Sequence, residues 1–377
     1  MINILIAGDY CPMGRIADKL DKRDYTFFDD IKSLTREADY SILNFECPVV
    51  VGDVKSINKC GPALKTKPSA VDSIKYAGFD CVTLANNHFR DFGDSGCRST
   101  IEELDKQHID RVGGGMNINE AQQILYKDVC GQKIAIVNFC ENEFSIATTN
   151  RAGAAPIDAI DNYNQITEAR RNADYVLVII HGGHEHYQLP SPRMKKLYRH
   201  YVDLGADAVV NHHQHCYSGY EYYNGKPIVY GLGNFCFDKG TQNNIWNYGY
   251  MVNIDCNSNG STIELLPYKQ CDGNEKIVLL SKEERLIFDD KIIELNNIIV
   301  DDNQLTASFE HWCSTREEMI NCLFNSYHNR YLNAAANRNI IKRPASKQEM
   351  LNVYNYIICE AHRDIVLNVL NKNYTNE

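Results

Sequence analysis

The protein has 377 residues, of which 44% are hydrophobic, and a formal net charge of −10 at neutral pH. This apolar content is enough for a large buried core, and the length exceeds that of one typical domain. An acidic chain without a basic stripe is not expected to bind nucleic acid, and an anionic substrate would need a local cation, such as a metal ion or an arginine.

The sequence contains no recognisable membrane or export signal. We expect no transmembrane segment, because no stretch approaches the roughly 18 apolar residues that a membrane helix needs. The start, MINILIAGDYCPMGR, has no basic region, and Asp9 interrupts its short apolar run, so it does not resemble a signal peptide. The 14 cysteines form no C-x-x-C pairs, which predicts reduced, mostly buried thiols and a cytoplasmic protein.

Short apolar runs alternate with amphipathic stretches over roughly the first 240 residues. The apolar runs are rich in β-branched and aromatic residues and predict the strands INILIAGD, ADYSILNFE, FDCVTLANNH, KIAIVNFCEN, ADYVLVIIHGG, ADAVVNHHQH and PIVYGLGNF. The stretches between them predict the helices SAVDSIKYAG, YNQITEARRNA and SPRMKKLYRHYVDLGA. Because continuously apolar strands suit sheets that are buried on both faces, the pattern predicts a layered α/β fold.

The sequence then predicts two hairpins, and beyond them its hydrophobic pattern changes from that of strands to that of helices. The stretch YSGYEYYNGKPIVYG predicts a β-hairpin with Asn224 and Gly225 at its turn, in preference to a wall on which a substrate stacks. YGYMVNIDC and STIELLPYKQC predict a second hairpin, joined by NSNGS. Beyond about residue 280, apolar residues recur every three or four positions, which predicts helices. We therefore predict a main domain over residues 1–278 and a helical region over 279–377 that packs on it.

Residues that can bind a metal ion stand at the ends of five predicted strands. They are Asp9, Asn44 with Glu46, Asn87 with His88, His181, and His213 with His215. In layered α/β folds, ligands gather beyond the carboxyl ends of the strands, so these residues can converge on one site. Carboxylates, an amide oxygen and imidazoles together suit divalent Mn, Fe, Zn or Co, and the paired cysteines of a structural zinc site are absent.

Histidines are concentrated around VVNHHQHCYSG, since seven of the 12 lie between His181 and His215. On an extended segment, residues two apart face the same way, so His213 and His215 could bind two neighbouring ions or one shared ion, with His212 pointing away. The alternatives are structural. The histidine pair could be solvated, Asp9 could cap a helix, and Glu46 could be a loop acid.

With these motifs in hand, the sequence resembles the CapA, or PGA_cap, family of poly-γ-glutamate capsule synthesis proteins, which belongs to the calcineurin-like metallophosphoesterase superfamily. The matching stretches cover roughly residues 2–240 in family order: AGDYCPMGR, ADYSILNFECPV, GFDCVTLANNHFRDFG, VIIHGGHEHY and LGADAVVNHHQHCYSGYEYYNGKPIVYGLGNFCFD. The resemblance implies a metallophosphatase-like four-layer sandwich, in which helices flank two central β-sheets, with a dinuclear metal centre between the sheets.

The resemblance also implies roles for the motif residues. Asp9 and His215 would bind the first metal ion, and Glu46 would bridge the two ions. The second ion would be bound by Asn87, His181 and His213.

Other motif residues would serve catalysis or substrate binding. His88 would donate a proton to the leaving group, and Arg15 and Glu185 are further catalytic candidates. Arg15 would also bind the substrate, as would Asn44 and Asn234.

One motif departs from the superfamily pattern. The usual first motif is D-x-H, whereas here it is Asp9-Tyr10-Cys11. Cys11 would be a softer ligand and would have to bind as a thiolate; without it, the first ion lacks a ligand. The bridging residue is also Glu46 where an aspartate is usual. These departures question phosphoesterase activity more than metal binding.

Three functions are consistent with this pattern. The first is a hydrolase of the phosphoesterase type, using one or two ions of Mn, Fe or Zn on an anionic small molecule or polymer intermediate of capsule or exopolymer synthesis. The second is a non-catalytic accessory subunit of a polymer synthase, with other capsule-synthesis proteins as partners. The third is a general nucleotide or phosphomonoester phosphatase.

Overall fold

The structure is a computed structural model that describes residues 2–240, 244–257, 260–327, 329–338, 340–370 and 374. Its strands are β1 (Ile2–Tyr10), β2 (Tyr40–Phe45), β3 (Cys81–Thr83), β4 (Asp110–Val112), β5 (Gly114–Gly115), β6 (Leu125–Val129), β7 (Gln132–Cys140), β8 (Gly153–Ala154), β9 (Tyr175–His181), β10 (Ala208–His212), β11 (Tyr220–Tyr223), β12 (Lys226–Val229), β13 (Asn234–Cys236), β14 (Tyr248–Asn257), β15 (Gly260–Gln270) and β16 (Ile277–Leu279).

Helices separate many of these strands and fill the C-terminal part of the chain. They are α1 (Arg15–Asp21), α2 (Lys32–Glu37), α3 (Ser69–Ala77), α4 (Gly93–Lys106), α5 (Ile118–Ala121), α6 (Ala159–Asn172), α7 (Pro192–Asp203), α8 (Lys282–Val300), α9 (Asp302–Ser314), α10 (Glu317–Phe324), α11 (Arg330–Asn337), α12 (Lys347–Ile358) and α13 (Glu360–Leu370). Two short 3₁₀ helices span Thr26–Phe28 and Ile245–Asn247.

Two β-sheets form the centre of the fold. The first has the strand order β16-β15-β14-β1-β2-β3-β4, with β13 also paired to β1, and the second has the order β11-β12-β10-β9-β7-β6. The inner strands β1 to β4 run parallel, as do β7, β9, β10 and β12. The carboxyl ends of the parallel strands therefore lie at one edge of each sheet.

Apolar side chains fill the space between the two sheets and beneath the helices. Ile4 and Ile42 of the first sheet share a buried cluster with Ile136 and Ile179 of the second. On its other face, the first sheet packs with α1, α3 and α4, and the second sheet contacts α6 and α7. The predicted four-layer α/β sandwich is confirmed.

One predicted strand is divided between the two sheets. PIVYGLGNF was expected to form a single strand, but β12 lies in the second sheet while β13 pairs with β1 in the first. The chain crosses between the sheets through Gly233, which has a φ of +80°. Gly8 of β1 lies directly against this crossing, because a Cβ there would be 2.0 Å from the Gly233 carbonyl oxygen. Glycine is therefore needed at both positions.

Both predicted hairpins are present. In the hairpin of β11 and β12, Asn224 and Gly225 have φ values of +50° and +75°. A two-residue turn of this type needs positive φ at both positions, and its twist matches that of the paired strands. β14 and β15 pair along their length, and Ser258 and Asn259 of the predicted NSNGS turn lie outside the described residues. The predicted start of α7 is also confirmed, since Ser191 caps the helix ahead of Pro192.

The chain divides into two compact units, residues 1–57 with 61–305 and residues 58–60 with 306–377. Helix α8 belongs to the first unit because Phe288 and Ile292 lie in the core between the sheets. This division, after residue 305, falls later than the boundary expected after residue 278. The separate helical region over residues 279–377 and its packing on the main domain remain predictions. None of the helices that the structure describes is long and apolar enough to cross a membrane.

Replacing Gly8 by alanine should destabilise the first unit by at least about 3 kcal/mol, because the new methyl group would overlap a backbone oxygen that cannot move without shifting a strand. Urea unfolding followed by circular dichroism measures the loss. Gly52→Ala is the matched control: its φ is +80° but its Cβ would meet no atom within 4 Å, so only about 1–2 kcal/mol of backbone strain is expected. Equal losses for both variants would contradict the close approach at Gly8.

Candidate metal centre

The carboxyl ends of strands from both sheets meet at one buried site. Asp9 lies near the end of β1, Glu46 directly follows β2, His181 ends β9, and His213 directly follows β10. A hydrogen bond joins the two sheets here, since the His213 backbone N–H donates to Asp9 Oδ2 at 3.3 Å. The sequence prediction that strand ends converge on one site therefore agrees with the placement of these side chains.

Two groups of possible metal ligands share one residue. The first group is Asp9, Glu46 and His215; the second is Glu46, His181 and His213; within each group the ligand atoms lie within 4.8 Å of one another. All five side chains are buried. Glu46 Oε1 is 3.6 Å from His215 Nε2 and 3.8 Å from His181 Nε2. One carboxylate thus faces both groups.

Glu46 is the least satisfied polar group of the site. Both of its carboxylate oxygens are buried and accept no hydrogen bond from the described residues. Burial raises the pKa of Glu46 well above its ordinary value, and the nearby Asp9 raises it further. A buried carboxylate of this kind is costly unless a cation pairs with it. Two carboxylates with three imidazoles fit divalent Mn, Fe or Zn.

His181, His213 and Asp9 have the protonation that metal ligands need. Burial lowers the pKa of His181 well below its usual range, and burial together with His215 lowers the pKa of His213 to about 4. Both rings are therefore neutral at physiological pH. Burial alone raises the pKa of Asp9, but contact with His215 and the nearby His212 bring it below the ordinary value, so Asp9 is ionised. Deprotonated donors of this kind bind metal ions.

Asn87 adds an oxygen to the second group. Its Oδ1 is 3.0 Å from His181 Nε2, and His213 Nδ1 is 3.1 Å from the same nitrogen. The Asn87 oxygen and the His213 nitrogen therefore both lie close to His181 Nε2. The expected role of Asn87 as a ligand of the second ion stays a prediction that this arrangement favours.

The two histidines of the H-x-H motif converge by a different route from the expected one. Strand β10 ends at His212, and His213 and His215 have φ values of +91° and +55°. A left-handed turn, and not an extended segment, therefore directs the two rings. Such backbone strain in non-glycine residues is typical of functional sites. His212 joins neither ligand group among the described residues, and its Nε2 donates to the Ala7 carbonyl of the other sheet at 3.1 Å.

Asn234 fixes the orientation of His215. The Asn234 amide nitrogen donates to the carbonyl oxygens of His215 and Trp246, so its Oδ1, 2.9 Å from His215 Nδ1, must accept. His215 therefore carries its proton on Nδ1 and turns the lone pair of Nε2 towards Glu46. Because Asn234 is fully buried with its amide engaged, the structure favours a positioning residue over the expected substrate ligand.

Asn44 has a similar position beside Asp9. Its amide nitrogen donates to Asp9 Oδ1 at 2.8 Å, and its oxygen accepts from the Thr83 hydroxyl at 3.0 Å. The residue is buried. These contacts hold the Asp9 carboxylate in place, so Asn44 is also a positioning residue and not the substrate-binding residue that the resemblance implied.

The structure does not place Cys11 among the metal ligands. Its sulfur joins neither ligand group of the described residues, and its side chain lies in the apolar cluster with Cys47. Burial and the neighbouring Cys47 raise the pKa of Cys11 well above the ordinary value, so it is a thiol. The first group therefore has three residues without a replacement for the missing histidine.

His88 lies in a buried pair with an acid that the sequence interpretation missed. His88 Nδ1 is 2.7 Å from Asp91 Oδ2, and the same oxygen accepts from the backbone N–H of Leu64 at 2.7 Å. Asn86 ties this loop to β2 by donating to the Phe45 carbonyl. The three-residue spacing in HFRD was the available signal for Asp91, but only the fold shows that the two side chains meet.

The other two catalytic candidates differ in placement. Glu185 is exposed, with Oε2 4.0 Å from His186 Nε2, and its charge contributes to the raised pKa of Glu46. Arg15 is committed elsewhere, because its Nε and Nη2 donate to the two oxygens of Asp238 at 2.8 and 2.9 Å. Arg15 also donates to the Cys271 carbonyl. This bidentate clamp argues against the expected roles of Arg15 in catalysis and substrate binding.

Sequence comparison decides the family. The sequence model of the family described as "Bacterial capsule synthesis protein PGA_cap" matches residues 3–239. The chain belongs to this family. The resemblance inferred from the five motifs is thereby confirmed, and so is the association of the chain with a capsule synthesis family.

Individual relatives agree with the family assignment. The chain is 32% identical to the capsule biosynthesis protein CapA of Bacillus anthracis over 302 residues, covering 76% of this chain and 72% of that protein. It is 36% identical to the PGA biosynthesis protein CapA of Bacillus subtilis over 234 residues, covering 60% and 61% of the two chains. A 5′-nucleotidase precursor of Thermus thermophilus superposes with a TM-score of 0.39 at 12% identity, over 78% of this chain and 59% of that one. A likeness of that size supports no functional conclusion.

The two ligand groups predict about two equivalents of divalent ion in the wild-type protein. His181→Ala and His215→Ala should each leave about one equivalent, because each removes a ligand from only one group. Glu46→Gln should weaken both sites. Mass-spectrometric metal analysis after zinc loading and desalting measures the content, with His200→Ala, an exposed histidine of α7, as the control. Full metal content in Glu46→Gln would contradict a shared carboxylate.

Proposed function

We propose that the protein is a metal-dependent hydrolase of the phosphoesterase type that acts in capsule or exopolymer synthesis. The observation that supports this most strongly is the sharing of Glu46 by two buried ligand groups. Membership of a capsule synthesis family supports the biological setting. Divalent ions held by these groups would supply Lewis-acid chemistry, which activates water and neutralises the oxygens of a phosphate-type substrate.

The residues of the site divide into ligands and supports. Asp9, Glu46 and His215 would hold one ion, and Glu46 with His181, His213 and Asn87 would hold the other. Asn44 keeps Asp9 in place, and Asn234 keeps the lone pair of His215 directed inward. A site whose ligands are held this firmly needs little rearrangement to bind ions.

His88 is the proposed proton donor. Its pairing with Asp91 fixes the ring through Nδ1, which leaves Nε2 as the atom from which a proton passes to the leaving group. A carboxylate at Nδ1 also stabilises the protonated ring. Asp91 acts through His88 and is a positioning residue.

The proposed substrate is an anionic small molecule or polymer intermediate, and the proposed compartment is the cytoplasm. The compartment rests on the 14 cysteines, which form no C-x-x-C pairs and suit a reducing environment. An anionic substrate needs a local cation, because the net charge of the chain is −10. Other capsule-synthesis proteins are the proposed partners.

A second candidate is a non-catalytic accessory role in polymer synthesis. One observation favours it: Cys11 is a buried thiol outside both ligand groups of the described residues, so the first group has three residues only. The names of the two Bacillus relatives also refer to biosynthesis and not to a reaction. Retention of all the other ligands favours the hydrolase.

Hydrolysis of a phosphoester panel tests the proposal. The metal-loaded protein should cleave aryl phosphates, phosphodiesters, nucleotides or sugar phosphates, and His88→Gln should lower kcat by roughly 10²–10⁴-fold while the metal content stays at the wild-type level. His200→Gln is the control. Loss of metal in His88→Gln would make His88 a ligand instead. Absence of metal-dependent turnover on the whole panel would favour the accessory role, and broad turnover of nucleotides would favour a general phosphatase.

A further inference from the structure

Lys239 lies over an aromatic ring that packs against the metal ligands. Its Nζ is 3.4 Å from the centre of the Trp246 ring, and that ring is centred 4.8 Å from the ring of His215. Trp246 is buried, and its indole N–H donates to the Phe237 carbonyl at 2.7 Å. The indole is therefore a fixed platform that holds an ammonium group beside the first ligand group.

The ammonium of Lys239 keeps its hydrogen-bonding capacity. Among the described residues it contacts the faces of Trp246 and Phe237 and forms no ion pair, whereas Arg15 is bound to Asp238. The carboxylates of Glu185 and Glu46 interact with it electrostatically. An ammonium group can donate three hydrogen bonds, and a ring face offers no lone pair to accept them.

We propose that Lys239 binds an oxyanion of the substrate at the mouth of the metal centre, in addition to the oxygens that the ligand groups hold. The substrate then carries a carboxylate or a phosphate beside the bond that reacts. Lys239 is exposed, and its flexible stem lets the ammonium leave the Trp246 ring. A charge-assisted hydrogen bond to an oxyanion is stronger than contact with a ring face. The inference rests on the proposed function, because the metal centre defines where the substrate lies.

An acidic protein needs this cation. The chain has a net charge of −10, and the carboxylates of Asp9 and Glu185 interact electrostatically with Glu46 at the site. Arg15, which the sequence suggested for this task, is committed to Asp238. Lys239 takes over the role that the sequence interpretation gave to Arg15.

Fluorescence of Trp246 reports on the position of Lys239. The chain has two tryptophans, so Trp312→Phe leaves Trp246 as the single indole. Zinc-loaded protein in this background is titrated with inorganic phosphate and, separately, with glutarate, which has carboxylates and no phosphate. We expect a saturable change in emission as the ammonium leaves the ring, with the dissociation constant confirmed by calorimetry.

Variants of Lys239 then test the assignment. Lys239→Met keeps the apolar stem and should weaken anion binding by roughly tenfold, and Lys239→Arg should restore most of it. Lys32→Met is the matched control, because Lys32 Nζ lies 3.6 Å over the ring of Tyr76 in the same kind of contact. Tighter binding of phosphate or of glutarate identifies which oxyanion Lys239 prefers.

The outcomes separate this inference from the proposed function. If Lys239→Met binds both anions as tightly as Lys32→Met while the metal content is normal, the role of Lys239 is overturned and the metal centre stands. If neither anion binds to any metal-loaded variant, the role of Lys239 is also overturned. If the wild-type protein takes up no metal, the proposed function fails first, and that result is visible in the metal analysis alone.

Discussion

A buried carboxylate without a hydrogen-bond partner among the described residues, Glu46, is the constraint on which the rest of the site depends. Such a group is costly inside a protein unless a cation pairs with it. Histidines from both ligand groups approach it, at 3.6 Å for His215 and 3.8 Å for His181. The neutral rings of His181 and His213 and the ionised Asp9 lie around it, so the cluster is arranged to receive positive charge. On the proposed function, ions held by the two ligand groups would offset the cost of burying Glu46.

The two sheets can supply ligands to one point because they meet closely at this edge. The crossing through Gly233 places β13 beside β1, and Gly8 leaves room for it. Asn234 at the start of β13 then hydrogen-bonds His215, which lies three residues after the end of β10 in the other sheet. His212 adds a direct hydrogen bond between the sheets through the Ala7 carbonyl. Backbone packing and ligand orientation are therefore parts of one arrangement.

Much of this arrangement could be predicted from the sequence, and the limits have physical causes. Short apolar runs predicted the strands, and polar residues at their ends predicted the cluster around Glu46, since strand direction alone brings such ends together. Hydrogen-bond partners could not be predicted, because they depend on distances across the fold. Arg15 therefore turned out to pair with Asp238, and Asn234 with His215. The division of PIVYGLGNF was missed because a glycine crossing and a strand interior look alike in sequence.

X-ray absorption or anomalous diffraction on the metal-loaded protein tests the central claim most directly. If Glu46 is shared, the measurement should find two ions about 3.5–4 Å apart, with Glu46 bound to both. A single ion bound by Asp9, His181, His213 and His215 without Glu46 would contradict the account. So would two ions that each have their own carboxylate, because Glu46 would then not be the group that joins the two halves of the site.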